Sequence, residues 1–526
     1  MTKVDIPPEE SSNSSISIHE AREEDLYNEK PDISKAAVKK YLATRLTTLF
    51  DIPIRKTELT VWQVLNPIPG LKLMNSSNWN FYLLGFLAWT VDSMDFFCVS
   101  ASAPEIAHTL QVDITEITWG VTLVLMLRSV GAFIFGIMSD YFGRKYPYIF
   151  ICGLFVVLEI GTGFVQTYPQ FLAVRALFGI AMGAMYGVAS CTALEDQPPK
   201  ARSILSGLFL PGYNLGYLLA VVFFRAFGDT YKGDQGWRAL FWFSAGLPLI
   251  LIVWRLWFPE SKTFINMKKE KKVLAAKLGV VDLWFDRSIL TTMKTEWLMF
   301  VYLVFLMSGF NFMSHGSQDL FITLLVKQHG IGPDAKTVIM VVVNLGAICG
   351  GLFFGQLTEL LGRRLTIIIC CIFSGAFLYP SFFSSNVSGI IGGYFFLNFG
   401  VMGAWGVAPV HLLELVNTTH RTFLSGLTYQ LGNLASSASS TIEAEIGTRF
   451  PVKLEGATDA YDYGKVMAIF CGAVFAYMIV FIFLGPERFH KTLTVHDISD
   501  EDMIQGSDHF SLALDTKALV EHKLIV

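Results

Sequence analysis

Charge is scarce in this 526-residue chain: 16% of its residues are Asp, Glu, Lys or Arg, against about 25% in a soluble globular domain. That shortage excludes a surface made mainly for water. Seven cysteines (Cys98, Cys152, Cys191, Cys349, Cys370, Cys371 and Cys471) lie in apolar runs without metal-ligand spacing, so neither a structural metal nor a disulfide framework is expected. The chain has no phosphate-binding loop, nucleophile elbow or dinucleotide-binding glycines, which argues against an enzyme, a cofactor and a nucleic-acid partner. The acidic, polar N-terminal region lacks the apolar core of a signal peptide, and no cleavable leader is expected. A long signalling domain after the last apolar run is also missing, which counts against a non-transporting nutrient receptor.

What the chain has is apolar length. Half of it (52%) is hydrophobic, the mean hydropathy is +0.48, and the apolar residues come in runs long enough to cross a bilayer as helices. Twelve such runs fall at roughly 79–103, 118–138, 146–165, 170–193, 203–226, 237–258, 297–326, 335–356, 365–384, 389–412, 422–446 and 465–485. The reading is an all-α membrane protein in lipid. It has a cytosolic, largely disordered tail (1–75), a first six-helix half (79–258), a basic linker (259–296), a second half (297–485) and a C-terminal tail (486–526). Arg144, Lys145, Lys200, Arg202, Arg363, Arg364 and Arg421 fill alternate connections, and Lys262, Lys268, Lys269, Lys271, Lys272 and Lys277 fill the linker. The positive-inside rule then puts both termini in the cytosol, and the membrane is expected to be the plasma membrane. Phosphorylation and ubiquitination of the tails are expected to regulate a functional monomer.

An internal repeat organises the chain. Gly136-x-x-x-Asp140-x-x-Gly143-Arg144-Lys145 returns as Gly355-x-x-x-Glu359-x-x-Gly362-Arg363-Arg364, an offset of 355 − 136 = 219. Glu195, Arg202 and Asn214 return at the same offset as Glu414, Arg421 and Asn433, and Pro259-Glu260 returns as Pro486-Glu487. Two related halves of parallel sense follow. The Asp140–Arg144 and Glu359–Arg363 pairs, one helical turn apart, are expected as gate salt bridges.

Polar residues inside the spans are the candidates for function, because lipid rejects them. Asn311, Ser314, His315 and Gln318 fall at i, i+3, i+4 and i+7 and share a helical face, with Asp319 one turn from His315. The string Asn311-x-x-Ser314-His315-x-Ser317-Gln318-Asp319-x-x-x-Thr323 resembles the signature of the Jen family, fungal carboxylate:proton symporters of the major facilitator superfamily. The resemblance implies twelve transmembrane helices in two pseudo-symmetric six-helix halves and a short carboxylate carried with a proton. Lactate-type monocarboxylates and succinate- or malate-type dicarboxylates both stay open. The apolar Leu210-Pro211-Gly212, with no bulky aromatic beside the proline, leans toward the longer ones. A sugar or phosphate on the same fold is the alternative.

Arg128 falls at mid-span, where it cannot snorkel, and its planar fork suits a carboxylate. It either binds substrate or pairs with Asp92 or Asp95. The first is favoured because its counterpart at the 219 offset is Ala347. Asp92 and Asp95 are read equally as proton-coupling groups or as an inter-helix lock with Arg128 or Arg175. His315 with Asp319 is the expected proton-coupling pair, because histidine changes charge near neutral pH. The other reading of His315 is a hydrogen bond to a neighbouring helix. Gln430 and Asn433 form a second polar face and, with Asn214 and Tyr217, complete the expected substrate-binding set. Asn214 and Asn433 read equally as hydrogen-bond glue between helices.

Overall fold

In the computed structural model, which describes residues 33–56, 59–231, 235–269, 293–384, 386–416, 420–452 and 461–489, the apolar runs are helical. This follows from the need to pair backbone groups inside each segment. The spans of the first half are Ser76–Ala101, Ile114–Phe142, Lys145–Phe164, Tyr168–Leu194, Pro199–Phe209 continued by Pro211–Thr230, and Gln235–Ser244 continued by Gly246–Trp257. Those of the second half are Trp297–Gln318 running on to Gln328, Pro333–Leu361, Arg363–Ala376 with Leu378–Phe382, Val387–Leu415, Arg421–Ser436 with Ser439–Gly447, and Tyr463–Leu484. Ten are long and apolar enough to cross a membrane. The ninth breaks after Ala376 and the eleventh after Ser436, where its polar face runs into Ser437 and Ser439.

The repeat has a structural meaning at each of its members. Gly143 (φ 96°) and Gly362 (φ 86°) make the turns between the second and third and the eighth and ninth spans, a backbone region that glycine enters without steric cost. Glu260 accepts a hydrogen bond from the Lys145 amide (2.9 Å), and Glu487 accepts from the Arg363 and Arg364 amides (3.0 Å each). The two Pro-Glu elements therefore place a carboxylate on the N-terminus of the third and ninth spans, where the helix dipole favours it.

Packing is repeated as well. A Cβ on Gly131 would overlap the Ile180 carbonyl oxygen, and one on Gly350 would overlap that of Phe399. Both residues of the second contact lie 219 positions after those of the first. Bare backbone here lets the second and fourth, and the eighth and tenth, spans touch.

The halves meet at the end of the bundle that carries the basic connections. Residues 33–75 belong to the tail expected to be largely disordered, yet those described fold into short helices, Lys35–Ala43, Arg45–Leu49, Val61–Leu65 and Ile68–Lys72, laid across that basic end. Arg45 donates to the Gly485 carbonyl (2.9 Å), Gln356 donates to the Val64 carbonyl (2.9 Å), and Leu49 and Met74 are buried in the core. Docking rather than intrinsic propensity orders so short a set of helices. Residues 1–32, most of the linker and the tail after 489 lie outside the described residues.

Replacing Gly131 or Gly350 by Val should each cost about 1–3 kcal/mol through overpacking, read as a lower thermal unfolding midpoint of the purified protein. Gly153, with nothing within 4 Å of an added Cβ, should accept Ala without loss.

Candidate functional site

Arg128 is 2% exposed in the middle of the second span. Its guanidinium lies over the Phe96 ring, 4.7 Å from the centroid, and beside the Tyr213 hydroxyl, and Nη2 points at Met182 Sδ (2.7 Å). Nε has no hydrogen-bond partner among the described residues. Other buried arginines hold a carboxylate: Arg144 to Glu195 (3.1 Å), Arg175 to Glu159 (3.4 Å), Arg363 to Glu414 (2.9 Å) and Arg421 to Glu195 (3.0 Å). Among the described residues no ion pair joins Arg128 to Asp92, Asp95 or another acid.

Asp92 and Asp95 are buried in the first span, and none of their four carboxylate oxygens has a hydrogen-bond partner among the described residues. Asp92 lies in the electrostatic reach of Arg128 without touching it. Arg175 spends its ion pair on Glu159 of the third span, a partner the sequence reading did not name.

The eleventh span brings its polar face to the same depth. Asn433 Nδ2 donates to Gln430 Oε1 (3.2 Å), and Gln430 Nε2 donates across the halves to the Gly183 carbonyl (3.2 Å). Asn214 and Asn433 make no hydrogen bond with each other among the described residues. Asn214 and Tyr217 are half-buried in the fifth span, and Tyr217 stands edge-on to Phe97 (4.8 Å).

Between Arg128 and the seventh span lies an aromatic cluster absent from the sequence reading. Tyr186 stacks on Tyr429 (3.8 Å between centroids). Trp89 contacts Tyr186 (5.4 Å), Tyr213 (5.2 Å) and Tyr429 (6.0 Å), and Trp405 contacts Tyr429 (6.1 Å) and Phe310 (5.0 Å). The cluster draws on both halves, with Trp89, Tyr186 and Tyr213 from the first and Phe310, Trp405 and Tyr429 from the second.

On the seventh span, Trp405 Nε1 donates to Ser314 Oγ, Gln318 Nε2 donates to Asn398 Oδ1 (3.4 Å), and Asn311 Nδ2 donates to the Met307 carbonyl (2.8 Å). The polar face is thus turned toward the tenth span. His315 Nδ1 lies 3.1 Å from Asp319 Oδ2, their side chains 30% and 31% exposed. This pair is partly exposed while Arg128 is enclosed.

At the basic end, Asp140 and Arg144 stand 3.5 Å apart, as do Glu359 and Arg363. Each arginine has a closer partner, Glu195 or Glu414. The acids reach across instead: Asp140 accepts from the Thr422 and Phe423 amides (3.2 and 2.9 Å) at the start of the eleventh span, and Glu359 accepts from Ser203 at the start of the fifth. Ser203 plus 219 is Thr422, so one joint is built twice.

Residues 73–494 match the family described as sugar (and other) transporter. The chain belongs to this family. It is therefore a multi-pass membrane transporter of the major facilitator type, with the twelve-helix fold expected above. This family member is 45% identical to the carboxylic acid transporter protein homolog of Saccharomyces cerevisiae, over 90% of this chain and 77% of that one. It is 28% identical to the sialic acid transporter NanX of Escherichia coli, over 69% and 85%. In structure it is similar to the proton:xylose symporter XylE, with a TM-score of 0.65 and 16% identity over 80% of this chain and 98% of the other, a likeness of fold.

Glu195 is the hinge of the basic end, since Arg144 and Arg421 both depend on it. Glu195→Gln leaves two buried guanidinium groups short of a counter-charge, a change worth about 3–5 kcal/mol. The expected result is a lower unfolding midpoint together with faster labelling of a cysteine placed at Ser203.

Proposed function

We propose that the chain is a proton-coupled symporter of short-chain carboxylates in the plasma membrane, working by alternating access. The basic end is cytosolic by the charge of its loops, and the structure, joined there, is the state that receives substrate from outside. The observation that carries the reading is the Arg128 guanidinium, buried at mid-span without an acid partner among the described residues, while Arg144, Arg175, Arg363 and Arg421 each hold one. A relative named as a carboxylic acid transporter homologue supports the same substrate class.

The mechanism follows from charge. A carboxylate descending from the open side meets the imidazole–carboxylate pair of His315 and Asp319 first and the guanidinium of Arg128 last. Bidentate hydrogen bonds from Arg128 replace the anion's lost water. Gln430 and Asn433 orient it, with Asn311, Gln318, Asn214 and Tyr217 completing the walls. A proton on His315 strengthens anion binding, and by linkage the anion strengthens proton binding by the same factor. The loaded transporter then carries less net charge through the membrane field. Asp92 and Asp95 are further proton-coupling candidates, since each is a buried carboxyl with no ion pair among the described residues. A dicarboxylate uses Arg128 for one end and the His315 side for the other. The joints at Asp140–Arg144 and Glu359–Arg363 act as the cytosolic gate, releasing when the halves rock.

Competition between labelled succinate and lactate decides the substrate class. Arg128→Ala should lower uptake about 100-fold, and Arg128→Lys about 10-fold, because the charge stays but the fork is lost. Surface expression should be unchanged. Uptake by Arg128→Ala at the parent rate would remove the proposed binding role. His315→Ala should retain carboxylate exchange and lose its acceleration by an inward proton gradient.

A further inference from the structure

The eleventh span carries one more acid, Glu443 in Ser439–Gly447, which has no place in the reading so far. It is 0% exposed, and neither carboxylate oxygen has a hydrogen-bond partner among the described residues. Titratable groups face it from several sides: Asp319 of the seventh span, Tyr394 of the tenth, Cys471 of the twelfth, and Tyr461 from the segment before the twelfth. None of these is a cation. Asp319 in turn sits on His315 at 3.1 Å.

An ionised carboxylate with no partner costs several kcal/mol to bury, and a neutral carboxyl far less. A second carboxylate beside it raises the cost again. One negative charge is all that this pocket holds cheaply, and Asp319, a third exposed and paired with an imidazole, is the better place for it. We propose that Glu443 is a proton-binding group of the transporter, its carboxyl sharing one negative charge with Asp319 and thereby tying the buried interior of the second half to the His315–Asp319 pair. Transfer breaks the O–H bond of Glu443 and forms one on a carboxylate oxygen of Asp319 through water admitted between them, since neither Glu443 oxygen has a hydrogen-bond partner among the described residues. That leaves Glu443 ionised, and dry unless the water stays. Proton release from Glu443 therefore requires the packing of the seventh, eleventh and twelfth spans, all within the second half, to open.

This inference rests on the proposed proton coupling, and its test separates the two. Infrared difference spectra of the purified full-length protein, taken between acid and alkaline pH, should contain a protonated-carboxyl band that Glu443→Gln removes and that Glu445→Gln, at an exposed neighbour, leaves in place. A spectrum unchanged by Glu443→Gln overturns the proposal whatever the protein transports. In transport, Glu443→Gln should bind carboxylate and exchange it, yet lose about tenfold in proton-driven accumulation, a typical size for one coupling energy. Loss of the band with full accumulation would also overturn it. A parent protein that moves no carboxylate would sink the transport reading instead, and the infrared result would still decide Glu443.

Discussion

A guanidinium in the middle of a membrane-spanning bundle must be held by something, because the apolar surroundings give back almost none of the water it has lost. Most buried arginines of this protein satisfy that demand with a fixed carboxylate, and each such pair fastens one helix to another. Arg128 is left with the face of Phe96, the sulfur of Met182 and the hydroxyl of Tyr213. Those contacts stabilise a cation only in part. In the proposed function, the remaining demand gives the central space its affinity for a carboxylate.

The same logic divides the molecule by depth. Near the basic end, Arg144, Arg363 and Arg421 are buried and paired, and the halves are joined where Asp140 caps the N-terminus of the eleventh span and Glu359 holds the Ser203 hydroxyl of the fifth. Such contacts are strong when closed and become wet when broken, the behaviour required of a gate. Toward the other end, the His315–Asp319 pair is partly exposed, and the polar side chains of the seventh span bond to the tenth. The difference between ends is a property of one conformation, because the parallel repeat relates one half to the other without exchanging the ends.

Much of this was legible in the sequence where the signal was local or repeated. The spans followed from apolar length, the turns at Gly143 and Gly362 from the duplicated Gly-Arg motif, and the burial of Arg128 from its distance to either span end. The pairs Asp140–Arg144 and Glu359–Arg363 were visible because they lie one turn apart. Glu195 and Glu414, the closer partners, lie 51 residues from their arginines. Their recurrence at the same 219 offset as those arginines was the clue that would have found them. Trp89, Tyr186 and Trp405 gave no such clue, since an aromatic ring in an apolar run reads alike whether it faces lipid, core or cavity. Glu159 and Glu443 are single acids in apolar stretches, and only the packing of neighbouring spans tells what each one meets. The short helices of residues 33–75 owe their order to docking, which a local reading cannot see.

The central claim is that the charge of Arg128 is satisfied by the transported anion. A density map of the full-length protein in lipid nanodiscs with saturating succinate tests it most directly. The account predicts a carboxylate forked onto the Arg128 guanidinium above the Trp89–Tyr429 aromatics, with Gln430 and Asn433 at its side. An anion bound elsewhere, with Arg128 turned onto Asp92 in an ion pair, would contradict it.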